Sequence, residues 1–153
     1  MKRVLALALL AVSVVLVIAV NASAGHSRHR AGDTIKVVEH ATTDAVTNGT
    51  KADHAGNILT FANKVFNAAD TKKVGTDQGS CVRIVVGKSW ECSWTTFLPK
   101  GQITVQGPFY DTSNSVLAIT GGTGDYRDVR GQMKLKYHNP AGTKFDFVFQ
   151  LSR

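Results

Sequence analysis

The sequence predicts an all-β domain of eight antiparallel strands, closed into a barrel or stacked as a sandwich. Helical periodicity is scarce after residue 34. Short β-branched and aromatic runs recur instead, punctuated by Gly, Asn and Asp clusters. One long run is apolar on both of its faces, which calls for cover on both sides. Closure is favoured over a sandwich because it leaves no exposed strand edge.

Ile35 to His40 is β-branched and alternating, and forms the first expected strand. Ala41 to Gly56 is small and polar and reads as a loop. Ile58 to Phe66 is the second strand. Lys72 to Val86 is a long third strand, with bends expected at Gly75 and Gly79. Trp90 to Leu98 follows across a tight turn at Gly87, and Pro99-Lys100-Gly101 turns the chain into Gln102 to Phe109. Ser115 to Thr120, Gln132 to His138 and Thr143 to Leu151 complete the eight. No internal repeat or second domain is visible.

Alternation sorts the side chains into faces. Met133, Leu135 and Tyr137 share one face, as do Phe145, Phe147, Phe149 and Leu151. In the third strand, Val82, Ile84 and Val86 lie on one side and Cys81, Arg83 and Val85 on the other. An interior covers one side; a helix or a neighbouring subunit is expected over the other. A two-residue turn at Val86-Gly87 would pair Val85 with Lys88 and Ile84 with Ser89, bringing Cys81 opposite Cys92. Directly opposed side chains are close enough to bridge. The expectation is a Cys81–Cys92 disulfide; the alternative is a free, buried Cys81.

The domain is preceded by Lys2 and Arg3, the apolar run Val4 to Val20, and Ala22-Ser23-Ala24. That order reads as a secretory signal cut after Ala24, in preference to a retained anchor. Residues 25–34 then form a flexible basic leader, and 35–153 the folded domain. The expected location is extracellular, where a disulfide is permitted. No later segment is long and apolar enough to span a bilayer, so no stable membrane insertion is expected. The whole chain carries a net charge of +7; without Lys2 and Arg3, 16 basic residues face 11 acidic ones, a net charge of +5. These charges are scattered and not interleaved with aromatics, which argues against nucleic acid as a partner. Two cysteines without a matching histidine pair make no zinc site, and no metal is expected. Asn48-Gly49-Thr50 is a glycosylation sequon, relevant in a eukaryotic source.

Five stretches carry a resemblance. They are Phe61-Ala62-Asn63-Lys64-Val65-Phe66; Val74-Gly75 leading to Gly79-Ser80-Cys81-Val82; Trp90-Glu91 with Trp94; Ile103 to Phe109; and Leu117 to Gly124 running on to Gly131-Gln132-Met133-Lys134-Leu135. In order and spacing they resemble plant allene oxide cyclases over about residues 57–151. Gly124-Asp125-Tyr126-Arg127-Asp128-Val129-Arg130-Gly131 is more similar to the related dirigent proteins. The resemblance implies an eight-stranded, calycin-like closed barrel, commonly a homotrimer, with an apolar ligand cavity. It also implies chemistry without a cofactor, on a small hydrophobic or phenolic ligand. Allene oxide cyclases close a cyclopentenone ring from a fatty-acid-derived epoxide, with a buried glutamate and a water-binding polar cluster assisting. Dirigent proteins steer the coupling of phenolic intermediates made by another enzyme. The function expected first is therefore a cyclase-like isomerase; the alternatives are a dirigent-like guide and a small-molecule-binding barrel.

Glu39 shares strand parity with Ile35 and Val37, so its carboxylate is directed at an apolar face. Such a group is costly unless paired or protonated, and it suits a proton donor or a stabiliser of developing positive charge. Its position resembles that of the family's catalytic glutamate. Asn63 shares a face with Leu59, Phe61 and Val65 and matches the family's water-binding asparagine. Glu39 and Asn63 are the expected catalytic pair. Phe61, Cys81, Arg83, Trp94 and Phe109 are the expected ligand contacts, with Cys81 more a wall than a thiol if Cys92 bridges it. The cyclases place an asparagine two residues after the glutamate and a Ser-Pro pair in the next loop. Here Ala41 stands at the first position, and residues 42–56 contain no proline. No Ser-His-Asp arrangement and no catalytic carboxylate pair is legible, so Glu39 is expected to act as a lone inward acid. Gly121-Gly122-Thr123-Gly124 lacks the lysine and helix of a phosphate loop.

Overall fold

The computed structural model describes residues 32–50 and 52–152. The signal, its cleavage site and most of the leader lie outside the described residues. Ten strand segments run β1 (Thr34–His40), β2 (Ala45–Asn48), β3 (Ile58–Phe61), β4 (Lys64–Asn67), β5 (Lys73–Val85), β6 (Ser89–Leu98), β7 (Gly101–Tyr110), β8 (Ser115–Gly122), β9 (Arg130–Tyr137) and β10 (Lys144–Ser152). Every pairing is antiparallel.

The ring closes through β5. Its 13 residues are long enough to pair with β4 through Lys73–Thr76 and with β3 through Gly79–Val82 on one edge. Its other edge pairs with β6 from Thr76 to Val85. β3 and β4 are thus two halves of one broken strand, and β1 and β2 flank the same side of it. With β3 and β4 counted as one strand and β1 and β2 as another, eight strands form a closed barrel, as the sequence predicts.

Local departures have local causes. The expected loop Ala41 to Gly56 contains β2, an edge segment whose side chains are exposed and which therefore carries no apolar alternation. The second strand breaks at Ala62-Asn63, where the Asn63 backbone bonds to Asp77. Thr34, assigned to the leader, already pairs with Gln150. At the β5–β6 hairpin, Val85 opposes Ser89, and one residue is absorbed in a bulge between Arg83 and Val85. The turn uses Gly87 at φ +67° and a Lys88 N–H to Val85 C=O bond of 3.0 Å. The bulge lies on the turn side of the cysteines, so Cys81 still opposes Cys92, and they are bridged with Cα atoms 4.0 Å apart.

The interior is filled by alternate residues of each strand. Val65, Ile103, Val105, Met133, Phe147 and Phe149 are fully buried there. The outer face of β5 is not covered: Val82 is 41% and Ile84 54% exposed, and no helix packs over them among the described residues. Among the described residues the chain supplies no such cover, since their only helical segment is the turn Gly124–Tyr126.

Candidate functional site

One wall of the barrel is organised by a single amide. Asn63 sits 1% exposed at the break between β3 and β4. Its Nδ2 donates to Glu39 Oε1 at 2.8 Å and to Asp44 Oδ1 at 2.7 Å. Its Oδ1 accepts from the backbone N–H groups of Thr42 and Thr43 and from the Thr43 hydroxyl, at 2.9–3.0 Å. Its own N–H donates to Asp77 O at 3.0 Å and Asp77 Oδ1 at 3.2 Å. All donors and acceptors of this buried side chain are used, which fixes its orientation and bulges the chain between β1 and β2 around it.

Glu39 is not a lone acid. Asp77, on the interior face of β5 and 1% exposed, interacts with it, and Asp44 stands at the rim. Burial raises the Glu39 carboxyl well above its usual range, and the neighbouring Asp77 charge raises it further against the Asn63 hydrogen bond. Burial likewise pushes Asp77 up to about 7, against the Asn63 N–H bond. Asp77 Oδ2 meets no N–H donor among the described residues. Two buried carboxyls side by side cannot both ionise cheaply, so the pair keeps a proton to higher pH than exposed acids would. The expectation of a single inward carboxylate is corrected on this point. Asp77 escapes notice in the sequence because Lys73 to Ser80 is polar and glycine-rich. Extending the Cys81–Arg83 parity backwards through Gly79 to Asp77 is the signal that would have found it.

Glu39 and Asp44 open onto a narrow apolar cavity of about 40 Å³, lined also by Leu59, Phe61, Cys81, Cys92, Trp94, Phe109, Leu135, Phe145 and Phe147. Phe61 meets Trp94 edge-on with centroids 6.0 Å apart, and Phe109 meets Phe145 at 5.7 Å. A cavity of ~150 Å³ is what accepts a benzene-sized guest. A larger ligand therefore enters only if rim side chains swing aside, and Phe61 and Phe109 are the half-buried rings placed to do so. Asn63 stands behind Glu39 and does not line the cavity. The three carboxylates are not arranged to hold a metal ion.

Of the expected ligand contacts, Phe61, Cys81, Trp94 and Phe109 line this cavity, and Arg83 does not. Arg83 shares the interior parity, but its guanidinium turns to the hairpin end of the barrel. Nε lies 2.6 Å from Asp53 Oδ1, and Nη1 donates to both Asp111 oxygens at 2.7–2.8 Å. The guanidinium also stacks 4.0 Å over the Trp90 ring. Two carboxylates and a π face hold it, so it ties the β7–β8 turn and the loop after β2 across that end. Cys81 and Cys92, being bridged, contribute a wall and no thiol.

The geometry defines a closed antiparallel barrel with a small-ligand cavity, an aromatic lining and an acidic wall. The family model of allene oxide cyclase matches residues 34–151, and the chain belongs to that family. Among solved structures, a pyocyanin demethylase is 22% identical, with a TM-score of 0.60 over 76% of this chain and 100% of that one. A pterocarpan synthase dirigent protein is 18% identical, with a TM-score of 0.63 over 80% and 97%. An exo-specific intermolecular Diels–Alderase is 14% identical, with a TM-score of 0.57 over 80% and 100%. At these identities the likeness is one of fold. The same barrel thus hosts different chemistries, and what this chain does must be argued from its own cavity.

Proposed function

We propose that the chain is a secreted, cofactor-free isomerase or cyclase that folds a reactive hydrophobic substrate inside the barrel. The observation that carries this is the Glu39–Asp77 carboxyl pair, oriented by Asn63, at the wall of an aromatic-lined cavity. A carboxyl kept protonated by burial is a proton donor at neutral pH. Glu39 would give its proton to the oxygen of a strained ether or epoxide as the C–O bond breaks. The electron pair goes to that oxygen, and the carbon skeleton gains cationic character facing the carboxylate. The rings of Phe61, Trp94, Phe109 and Phe147 would hold the skeleton in one folded shape while the new C–C bond forms. Isomerisation returns the proton to Glu39, so the balance needs no cofactor.

The test uses a fatty-acid-derived allene oxide generated in situ, with chiral chromatography of the cyclopentenone. Enantiomeric excess from the parent protein and racemic product from Glu39→Gln, at unchanged circular dichroism, are expected. Racemic product from the parent rules out this substrate class; equal excess from both removes Glu39 from the mechanism. A dirigent-like role is the second reading, favoured by the Gly124–Gly131 stretch and by the dirigent fold neighbours. It predicts stereochemical bias only when an oxidant supplies phenolic radicals. The disulfide supports export to an oxidising compartment. The uncovered aliphatic face of β5 supports a homotrimer.

A further inference from the structure

Trp94 is 4% exposed on β6, wedged between Phe61 and Phe147 at centroid distances of 6.0 and 5.5 Å. Across the β5–β6 pair it faces Gly79, where a Cβ would come within 2.3 Å of the Trp94 Cβ. That close approach seats the indole against the barrel wall. Its Nε1–H is buried and meets no acceptor among the described residues. Buried indole N–H groups ordinarily find a partner, because leaving one unmade forfeits its hydration for nothing.

Three other buried side-chain atoms without hydrogen bonds have different settings. Asp77 Oδ2 belongs to the acid that interacts with Glu39, and Arg83 Nε lies 2.6 Å from Asp53 Oδ1 in an ion pair. Thr96 Oγ1 lies further along β6 and does not line the cavity. Trp94 alone of the four belongs to the cavity lining. The lining is otherwise apolar apart from Glu39 and Asp44, and it contains no lysine or arginine. A negatively charged ligand would find acids and no countercharge there.

We propose that Trp94 is the cavity's hydrogen-bond donor, and that the ligand presents to it an uncharged acceptor oxygen, as in a ketone, enone or ester. The inference rests on the cavity being the functional site, as argued above, and adds the ligand's polar signature. A hydrocarbon of the same shape would leave the indole N–H unsatisfied, so the donor selects for the carbonyl. The competing occupant is a single trapped water accepting from Nε1, for which the cavity has room.

The experiment uses acetophenone, labelled with ¹³C at the carbonyl, and cumene as its shape-matched hydrocarbon, each titrated into the folded protein. The parent should bind acetophenone about tenfold more tightly than cumene, the scale of one net hydrogen bond. In ¹⁵N–¹H spectra the Trp94 Nε1–H proton should move downfield with acetophenone and not with cumene, while the Trp90 indole stays fixed. Trp94→Phe should erase most of the preference for acetophenone over cumene, whatever the smaller ring does to the binding of both. Equal binding of the two ligands, or an indole resonance indifferent to the carbonyl, overturns the assignment of Trp94 and leaves the cavity reading standing. Binding of neither ligand overturns both.

Discussion

At the level of single residues, the site depends on Asn63 holding two buried acids closer than they would choose. Its amide donates to Glu39 and its backbone N–H donates to Asp77, so neither carboxyl is free to turn away. The consequence is a pH-dependent stability whose sign is fixed. In the unfolded chain Asp77 loses its proton near 3.8 and Glu39 near 4.5; in the fold Asp77 holds on to about 7 and Glu39 is also raised. Between about pH 4 and 7 the native state therefore binds more protons than the unfolded one, and stability falls as pH rises. Below that window both states are protonated and the contribution is fully present; at its upper end Asp77 ionises, and the loss continues until Glu39, raised well above its usual range, ionises too. The effect is of the order of a few kcal/mol. Urea midpoints should decline from pH 5 to pH 8 in the parent, and the slope should flatten in Asp77→Asn, whose amide stays neutral throughout. A parallel slope in that variant would show that the proton is not held by the pair. Glu39 and Asn63 were legible in the sequence because each interrupts an apolar parity. Asp77 was not, since its neighbours Gly75 and Gly79 supply no apolar pattern to interrupt.

Among the elements, the β5–β6 hairpin carries the most constraint, since β5 alone touches β3, β4 and β6. The Cys81–Cys92 bridge ties it midway, with a sequence separation of 11. Closing a loop of that size removes unfolded-state entropy worth ~2–3 kcal/mol. Cys81→Ser with Cys92→Ser should lower stability by about that amount, and dithiothreitol should do the same to the parent, both read from urea titrations fitted for midpoint and m-value. A cost well under 1 kcal/mol would mean that the hairpin persists in the unfolded chain. Strands with one apolar parity, such as Met133-Leu135-Tyr137 and Phe145 to Leu151, were legible because the side-chain period is two. β2 was not, because all four of its side chains are exposed. The bulge beyond Arg83 was hidden as well, because the turn type is set by Gly87 and its neighbours and not by the strand pattern. It moved no cysteine, so the bridge was legible even where the turn was not.

For the whole molecule, closure settles the inner faces and leaves one outer face unexplained. Val82, Ile84, Val85 and Val86 are each 41–54% exposed and follow one another along the end of β5 and the hairpin tip. Scattered surface aliphatics are ordinary, but a run of four on one edge of one hairpin is the kind of patch that a partner covers. A second copy of the chain is the simplest partner, because closed rings of identical subunits bury the same patch on every copy. Three copies is the expected number from the family resemblance. Sedimentation equilibrium at micromolar concentration should then give three times the chain mass. Ile84→Glu, which would bury a carboxylate at the contact, should yield monomers with the bridge and the circular dichroism intact. The cavity lining faces inward and includes none of these four residues, so the monomer should still bind the ligand that the trimer binds. A parent that sediments as a monomer would leave the patch open to a different partner, and loss of ligand in the monomeric variant would mean that the contact also shapes the cavity mouth.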